Sequence, residues 1–160
     1  MPTFSIYYMH VISYESVNWT IGISLEFPFL MEITLDQSIV LLVKAKVKAL
    51  EIGVPVNIAI VDTGGHLKSL QRMDDALIGS LDIAIKKAKT AMLFRMPSEQ
   101  VGQFLKPEAA AYGIENTNGG LVGFAGGLPI RHNDEIIGYI GVSGGAITQD
   151  AEIAAAGSVI

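Results

Sequence analysis

The amino-acid sequence predicts an α+β domain in which a mainly antiparallel sheet of about five strands is flanked by helices. Three observations carry that expectation. A capped helix opens the regular part of the chain, two β-branched runs are separated by a glycine turn, and three short strand-like runs follow a helical middle. Strands joined by hairpins pair antiparallel, whereas parallel pairs need a long crossover.

The regular part begins at Met31. Thr34-Leu35-Asp36-Gln37 reads as a capping box, with Thr34 as N-cap and Gln37 at the third helical position. Ile39, Leu42, Val43, Lys46, Val47 and Leu50 follow at helical spacing, Lys44 and Lys48 fall on the wetter face, and Gly53 and Pro55 end the helix. Val56–Val61 is an apolar run broken only by Asn57, the signature of a buried strand. Asp62-Thr63-Gly64-Gly65 turns the chain, and His66–Met73 returns as the second strand of a hairpin.

A helix is predicted from about Ser80, with Leu81, Ala84, Ile85, Ala88 and Met92 as its buried stripe and its lysines elsewhere, until Pro97 closes it. Ser98 is placed to cap a short helix carrying Val101, Phe104 and Leu105, before Pro107 and a loop over 113–120. Strands are expected at Leu121–Phe124, Leu128–Arg131 and Glu135–Val142, the last two joined by a turn at His132-Asn133-Asp134. Thr148 is the expected cap of a final helix, with Asp150 and Glu152 in its first turn.

Length and composition bound the function. The chain has 160 residues, enough for one domain, and this domain is assigned to residues 31–160. Residues 1–30 hold seven of the twelve aromatics and neither Lys nor Arg. They read as an N-terminal extension, poorly ordered or translated from a mis-assigned start ahead of Met31. Glu15, Asn18 and Glu26 interrupt the apolar run, so neither a secretory signal nor a membrane span is predicted.

Half of all residues are hydrophobic and only 17% are charged, against about 25% in a typical domain. That surplus predicts a homo-oligomer interface or a slot for a small-molecule ligand. A net charge of −5 supplies no basic footprint for nucleic acid. The absence of cysteine removes disulfides and thiolate chemistry and suits a reducing, cytoplasmic location. His10, His66 and His132 lack metal-ligand spacing, so no metal site is expected. Gly141-Val142-Ser143-Gly144-Gly145 only superficially resembles a nucleophile elbow. Asp62–His66 and Arg72-Met73-Asp74 sit at opposite ends of one hairpin strand.

Several segments in series resemble the GlcG/HbpS family, the haem-degrading domain family that includes the C-terminal domain of PduO-type proteins. They are Val56–Leu67, Arg72-Met73-Asp74, Lys87–Ala91, Gly126–Ile130, Gly138–Asp150 and Ala154–Gly157. The resemblance runs from about Met31 to the end and implies a profilin-like, GlcG-like layout. It also implies assembly from dimers up to octamers, and haem or a similar flat molecule as ligand. Haem needs an apolar slot, partners for its propionates and an axial ligand. On that basis His66 is the axial candidate, Arg72, Lys86, Lys87 and Arg131 are propionate partners, and Met73 lines the slot. An enzyme of the same family would instead use a pocket at a subunit interface lined by Asp62, Arg72, Asp74 and Ser143. A non-catalytic scaffold or accessory subunit is the third reading. One departure stands out: the family's Arg-Met-Asp-Gly is Arg72-Met73-Asp74-Asp75 here.

Overall fold

The computed structural model describes residues 31–160, and the N-terminal extension, residues 1–30, lies outside the described part. Helix α1 (Leu35–Ile52) begins at the predicted box: Thr34 Oγ1 accepts from the Gln37 N–H while Gln37 Oε1 accepts from the Thr34 N–H. Gly53 ends it at φ 75°, a left-handed conformation that suits glycine. Strands β1 (Asn57–Val61) and β2 (Leu67–Arg72) form the predicted hairpin. Helix α2 (Gly79–Phe94) follows, then the single turn α3 (Ser98–Val101), two 3-10 turns, β3 (Gly127–His132), β4 (Glu135–Ser143) and α4 (Ile147–Ala156).

The sheet has four strands in the order β2-β1-β4-β3, every pair antiparallel. Two elements differ from expectation. Leu121–Phe124 is not a strand, because side chains take its backbone groups: Thr90 Oγ1 accepts from the Val122 N–H and Ser98 Oγ donates to the Phe124 carbonyl. Ser98 is therefore a tie between loops rather than a cap. Thr148 lies inside α4, whose N-cap is Ala146; Gln149 accepts from the Ala146 N–H instead.

Alternation along the strands makes two cores. Ile58, Ile60, Ile140 and Val142 face α1 and α4, whereas Val61 and Tyr139 face α2. Helix α1 meets the sheet through Ser38, Leu41, Leu42, Ala45 and Ala49. Ile39, Val43, Val47 and Leu50, which follow the same helical period, point outward instead. Small residues win the inner face because they let the helix approach closely.

The same rule governs α2. It lies on Gly127 and Gly141, which are cross-strand partners, and presents Ala84, Ala88 and Ala91 to the sheet. A Cβ at Gly141 would collide with the Ala84 carbonyl, and one at Gly127 with the Lys87 carbonyl. Both obstacles are backbone, so the helix itself must move to admit a methyl group. Gly141→Ala is expected to destabilise the domain by about 1–3 kcal/mol, read as a lower urea midpoint at unchanged slope. A midpoint equal to wild type would show that α2 retreats freely.

Lys87 overturns the expectation that the α2 lysines lie away from the buried side of the helix. It is 0% exposed, with Nζ donating to Asp150 Oδ2 at 2.7 Å and to the Val142 carbonyl at 2.9 Å. The ammonium also sits 4.5 Å from the centroid of the Phe124 ring. Asp150 completes the tie by accepting from the Gly145 N–H at 3.0 Å. One ion pair thus joins α2, β4, α4 and the Ser143-Gly144-Gly145 turn.

A candidate ligand cavity beside the hairpin turns

A cavity of about 650 Å³ opens at the end of the sheet that carries both hairpin turns. Thr63 comes from the β1–β2 turn, Asp134 and Glu135 from the β3–β4 turn, and Arg131, Ile136 and Tyr139 from β3 and β4. Met92, Leu93 and Arg95 enter from the C-terminal end of α2, and Met31 from the segment before α1. The volume falls in the roughly 300–1,000 Å³ range of small-molecule sites.

Local structure explains each placement. Arg95 occupies the left-handed position that closes α2, at φ 53°, where its N–H bonds the Ala91 and Met92 carbonyls. The cap turns its side chain out of the helix line, and a cation at a helix C-terminus is favoured by the dipole. Arg131 follows an irregularity in the β3–β4 register and donates to the Asp134 carbonyl at 2.8 Å. Asn133 and Asp134 make that turn at φ 48° and 66°, conformations that Asn and Asp tolerate. Tyr139, 3% exposed, forms the buried wall. Burial pushes its phenol pKa up, and the positive charges of Arg95 and Arg131 pull against that shift. Both guanidiniums therefore bear on the same phenol.

The residues singled out from the sequence divide between two ends of the molecule. Asp62 orders its own turn: Oδ1 accepts from the N–H groups of Gly64 at 3.0 Å and His66 at 2.8 Å. The His66 side chain, 84% exposed, lies 3.4 Å from the same carboxylate and does not line the cavity. Thr63, in the same turn, is held by the Glu32 carboxylate.

At the other end Arg72 and Ser143 flank Asn57 in one row across the sheet. Five residues of β2, 67–71, separate Arg72 of this row from His66 at the hairpin turn, about 20 Å at strand rise. Arg72 donates to the Ala76 carbonyl rather than to Asp74, which is exposed. Asn57 donates to the Leu77 carbonyl, and its buried Oδ1 has no partner among the described residues. Met73 packs against the larger core. Asp75 sits at φ 64° where the family pattern has glycine, which explains why glycine suits that place.

Lys86 lies on α2, bonded to Asp82 at 2.8 Å, and Lys87 is enclosed as described above. Asp62, Arg72, Asp74 and Ser143 thus do not converge within one chain. Of the side chains that the sequence suggested for ligand contact or chemistry, the cavity holds Arg131. Arg95, Tyr139 and Met92 are not legible as a group in the sequence, because α2, β3 and β4 bring them together from distant positions. Among the described residues no three potential metal ligands cluster, and no helix is long and apolar enough to cross a membrane.

The fold and cavity define an α+β domain with a site of ligand size lined by two arginines, two acids and apolar side chains. The chain belongs to the HbpS-like haem degrading protein family, whose model matches residues 33–158. It is 45% identical over 108 residues to an uncharacterised 15.0 kDa protein from the dhaT-dhaS intergenic region of Citrobacter freundii, covering 67% of this chain and 76% of that protein. The crystal structure of Klebsiella pneumoniae protein ORFY is similar at a TM-score of 0.76 and 36% identity, covering 78% of this chain and 87% of that one. The crystal structure of a PduOC–haem complex is similar at a TM-score of 0.75 and 34% identity, covering 79% and 92% respectively. The GlcG/HbpS resemblance and the antiparallel α+β layout are thereby established, with four strands in place of about five.

Proposed function

We propose that this chain is a cytoplasmic, homo-oligomeric binding protein for haem or a similar flat tetrapyrrole, and that the cavity beside the hairpin turns is its site. The observation that carries the reading is one cavity lined by Arg95, Arg131 and Tyr139 together with apolar side chains. A haem presents an apolar ring edged by two carboxylates and an iron that takes an axial ligand. Met31, Met92, Leu93 and Ile136 supply apolar surface, and the two guanidiniums match carboxylates in charge and geometry. Tyr139 offers a phenol and Met92 a thioether within the cavity, while His66 offers an imidazole from the adjoining turn. Asp134 and Glu135 also line the cavity and oppose a dianionic ligand, so binding of the propionates depends on the two arginines.

The relative solved with haem supports this ligand class, and the family description supports haem chemistry. When bound, haem itself supplies the redox chemistry; the chain's own residues bind, orient and shield it. The low charged fraction and the lack of cysteine support a multimer in a reducing compartment.

Titration of the purified protein with hemin tests the reading. A saturable Soret shift is expected, lost in Tyr139→Phe if the phenol ligates and in His66→Ala if the turn does. No shift in the wild type would overturn haem binding and favour a scaffold role. Loss of Soret absorbance with a reductant, unaffected by catalase, would extend the function to haem turnover.

A further inference from the structure

The chain enters the domain at the cavity. Met31 lines it, and the next two residues are fixed beside it. The Glu32 carboxylate accepts from the Thr63 N–H and hydroxyl in the β1–β2 turn. The Ile33 N–H donates to the Ile137 carbonyl at 2.8 Å, and the Ile33 side chain is buried in the larger core. A Cβ at Gly138 would stand 3.0 Å from Ile33 Cγ2, so glycine lets that side chain sit close to β4. The backbone before Met31 therefore starts from the cavity wall. From Ile33 back to Met31 the chain runs from beside Ile137 to the β3–β4 turn, whereas α1 departs in the other direction at Leu35.

The residues immediately before this anchor are Phe27, Pro28, Phe29 and Leu30. Four residues span at most about 14 Å, so all of them stay within reach of the cavity, and the covalent tether acts as a high local concentration. Their chemistry matches the wall. With Met31 they make five apolar residues in succession, and the cavity offers Met92, Leu93 and Ile136, of which Leu93 is 42% exposed. Covering these side chains removes apolar surface of both parties from water. Arg95 and Arg131 suit the faces of aromatic rings. Residues 27–31 carry no charge, so Asp134 and Glu135, which oppose an anionic ligand, do not oppose them.

We propose that residues 27–30 fold back onto the cavity of their own chain, with the phenyl rings of Phe27 and Phe29 against Met92, Leu93 and Ile136, and compete there with the ligand. The competition rests on the reading of this cavity as the ligand site; the docking itself does not depend on which ligand it takes. A tethered competitor lowers the apparent affinity by the fraction of chains in which the cavity stands open.

The cysteine-free chain allows pairs of thiols to be introduced. In the full-length protein, Phe29→Cys with Leu93→Cys is expected to lose both thiols under mild oxidation while keeping the mass of one chain, because a disulfide forms only between Cα atoms closer than about 7 Å. Phe29→Cys with Leu77→Cys samples the far end of the sheet, where exposed Leu77 accepts from Asn57 through its carbonyl. Phe29→Cys with Ile39→Cys samples the exposed side of α1. Linkage to Leu93→Cys no faster than to Leu77→Cys, faster linkage to Ile39→Cys, or linkage between two chains overturns the docking. Phe27→Ser with Phe29→Ser is expected to tighten hemin binding by about threefold or more, because it weakens the competitor. Equal affinity in that variant, where the Leu93→Cys pair links, overturns the competition. If neither wild type nor variant binds hemin, the haem reading fails, and the disulfide rates alone decide whether residues 27–30 occupy the cavity.

Discussion

Replacing Lys87 with methionine is expected to destabilise the domain by about 3–5 kcal/mol, lowering the melting temperature by roughly 10 °C or more. Methionine keeps the volume and contact with Phe124, but it leaves the Asp150 carboxylate buried with the Gly145 N–H as its remaining donor. An unpaired charge in the interior is far worse than a missing contact, because water can no longer solvate it. Burial already works against the ammonium, since desolvation lowers the Lys87 pKa while Asp150 raises it. The intact pair is therefore worth less than the penalty for breaking it. Asp150→Leu alone should destabilise by a similar amount, and the double variant should recover most of the loss. A double variant as unstable as the sum of both singles would refute the account, because coupling between contacting residues must appear in such a cycle.

This pair also shows what the sequence does and does not disclose. Local signals are strong where one short segment contains the whole cause: Thr34 and Gln37 box the start of α1, Gly53 ends it, and the Asp62–Gly65 turn closes the hairpin. Periodicity misleads where a helix is apolar on two sides. In α1 both faces have helical spacing, and only the sheet decides that Ala45 and Ala49 go inward while Val43 and Val47 go outward. Lysine is so seldom enclosed that Lys87 reads as solvated until Asp150, 63 positions later, is brought against it. A glycine holds the missing hint. A Cβ at Gly126 would stand 2.9 Å from the Lys87 ammonium and 2.6 Å from the Val142 carbonyl, so the Gly126-Gly127 pair makes room for the charge. The cavity is less legible still. Arg95 reads as one more cation in a basic helix, and its one local distinction is a position just before Met96-Pro97, where the helix must stop.

Arg95 and Arg131 supply the second large effect. If they hold the ligand's carboxylates, removing both is expected to weaken hemin binding by roughly 100-fold or more, since each charge-assisted hydrogen bond contributes about 1.5–3 kcal/mol and about 1.4 kcal/mol is tenfold in affinity. Neither arginine is part of a core cluster: Arg131 is exposed and its side chain donates to the Asp134 carbonyl in its own turn, and Arg95 is exposed at the end of α2. Arg95→Ala and Arg131→Ala should therefore leave the urea midpoint nearly unchanged. That separation distinguishes ligand contact from damage to the fold. Salt supplies an independent reading, because partly exposed ion pairs are screened: hemin affinity should fall as ionic strength rises in the wild type and respond much less in the double variant. Arg72→Ala, about 20 Å away along β2, tests the opposite end of the sheet. If Arg72→Ala abolishes binding while the Arg95/Arg131 variant binds normally, the site belongs to the row of Arg72, Asn57 and Ser143, where a buried amide oxygen still lacks a donor among the described residues.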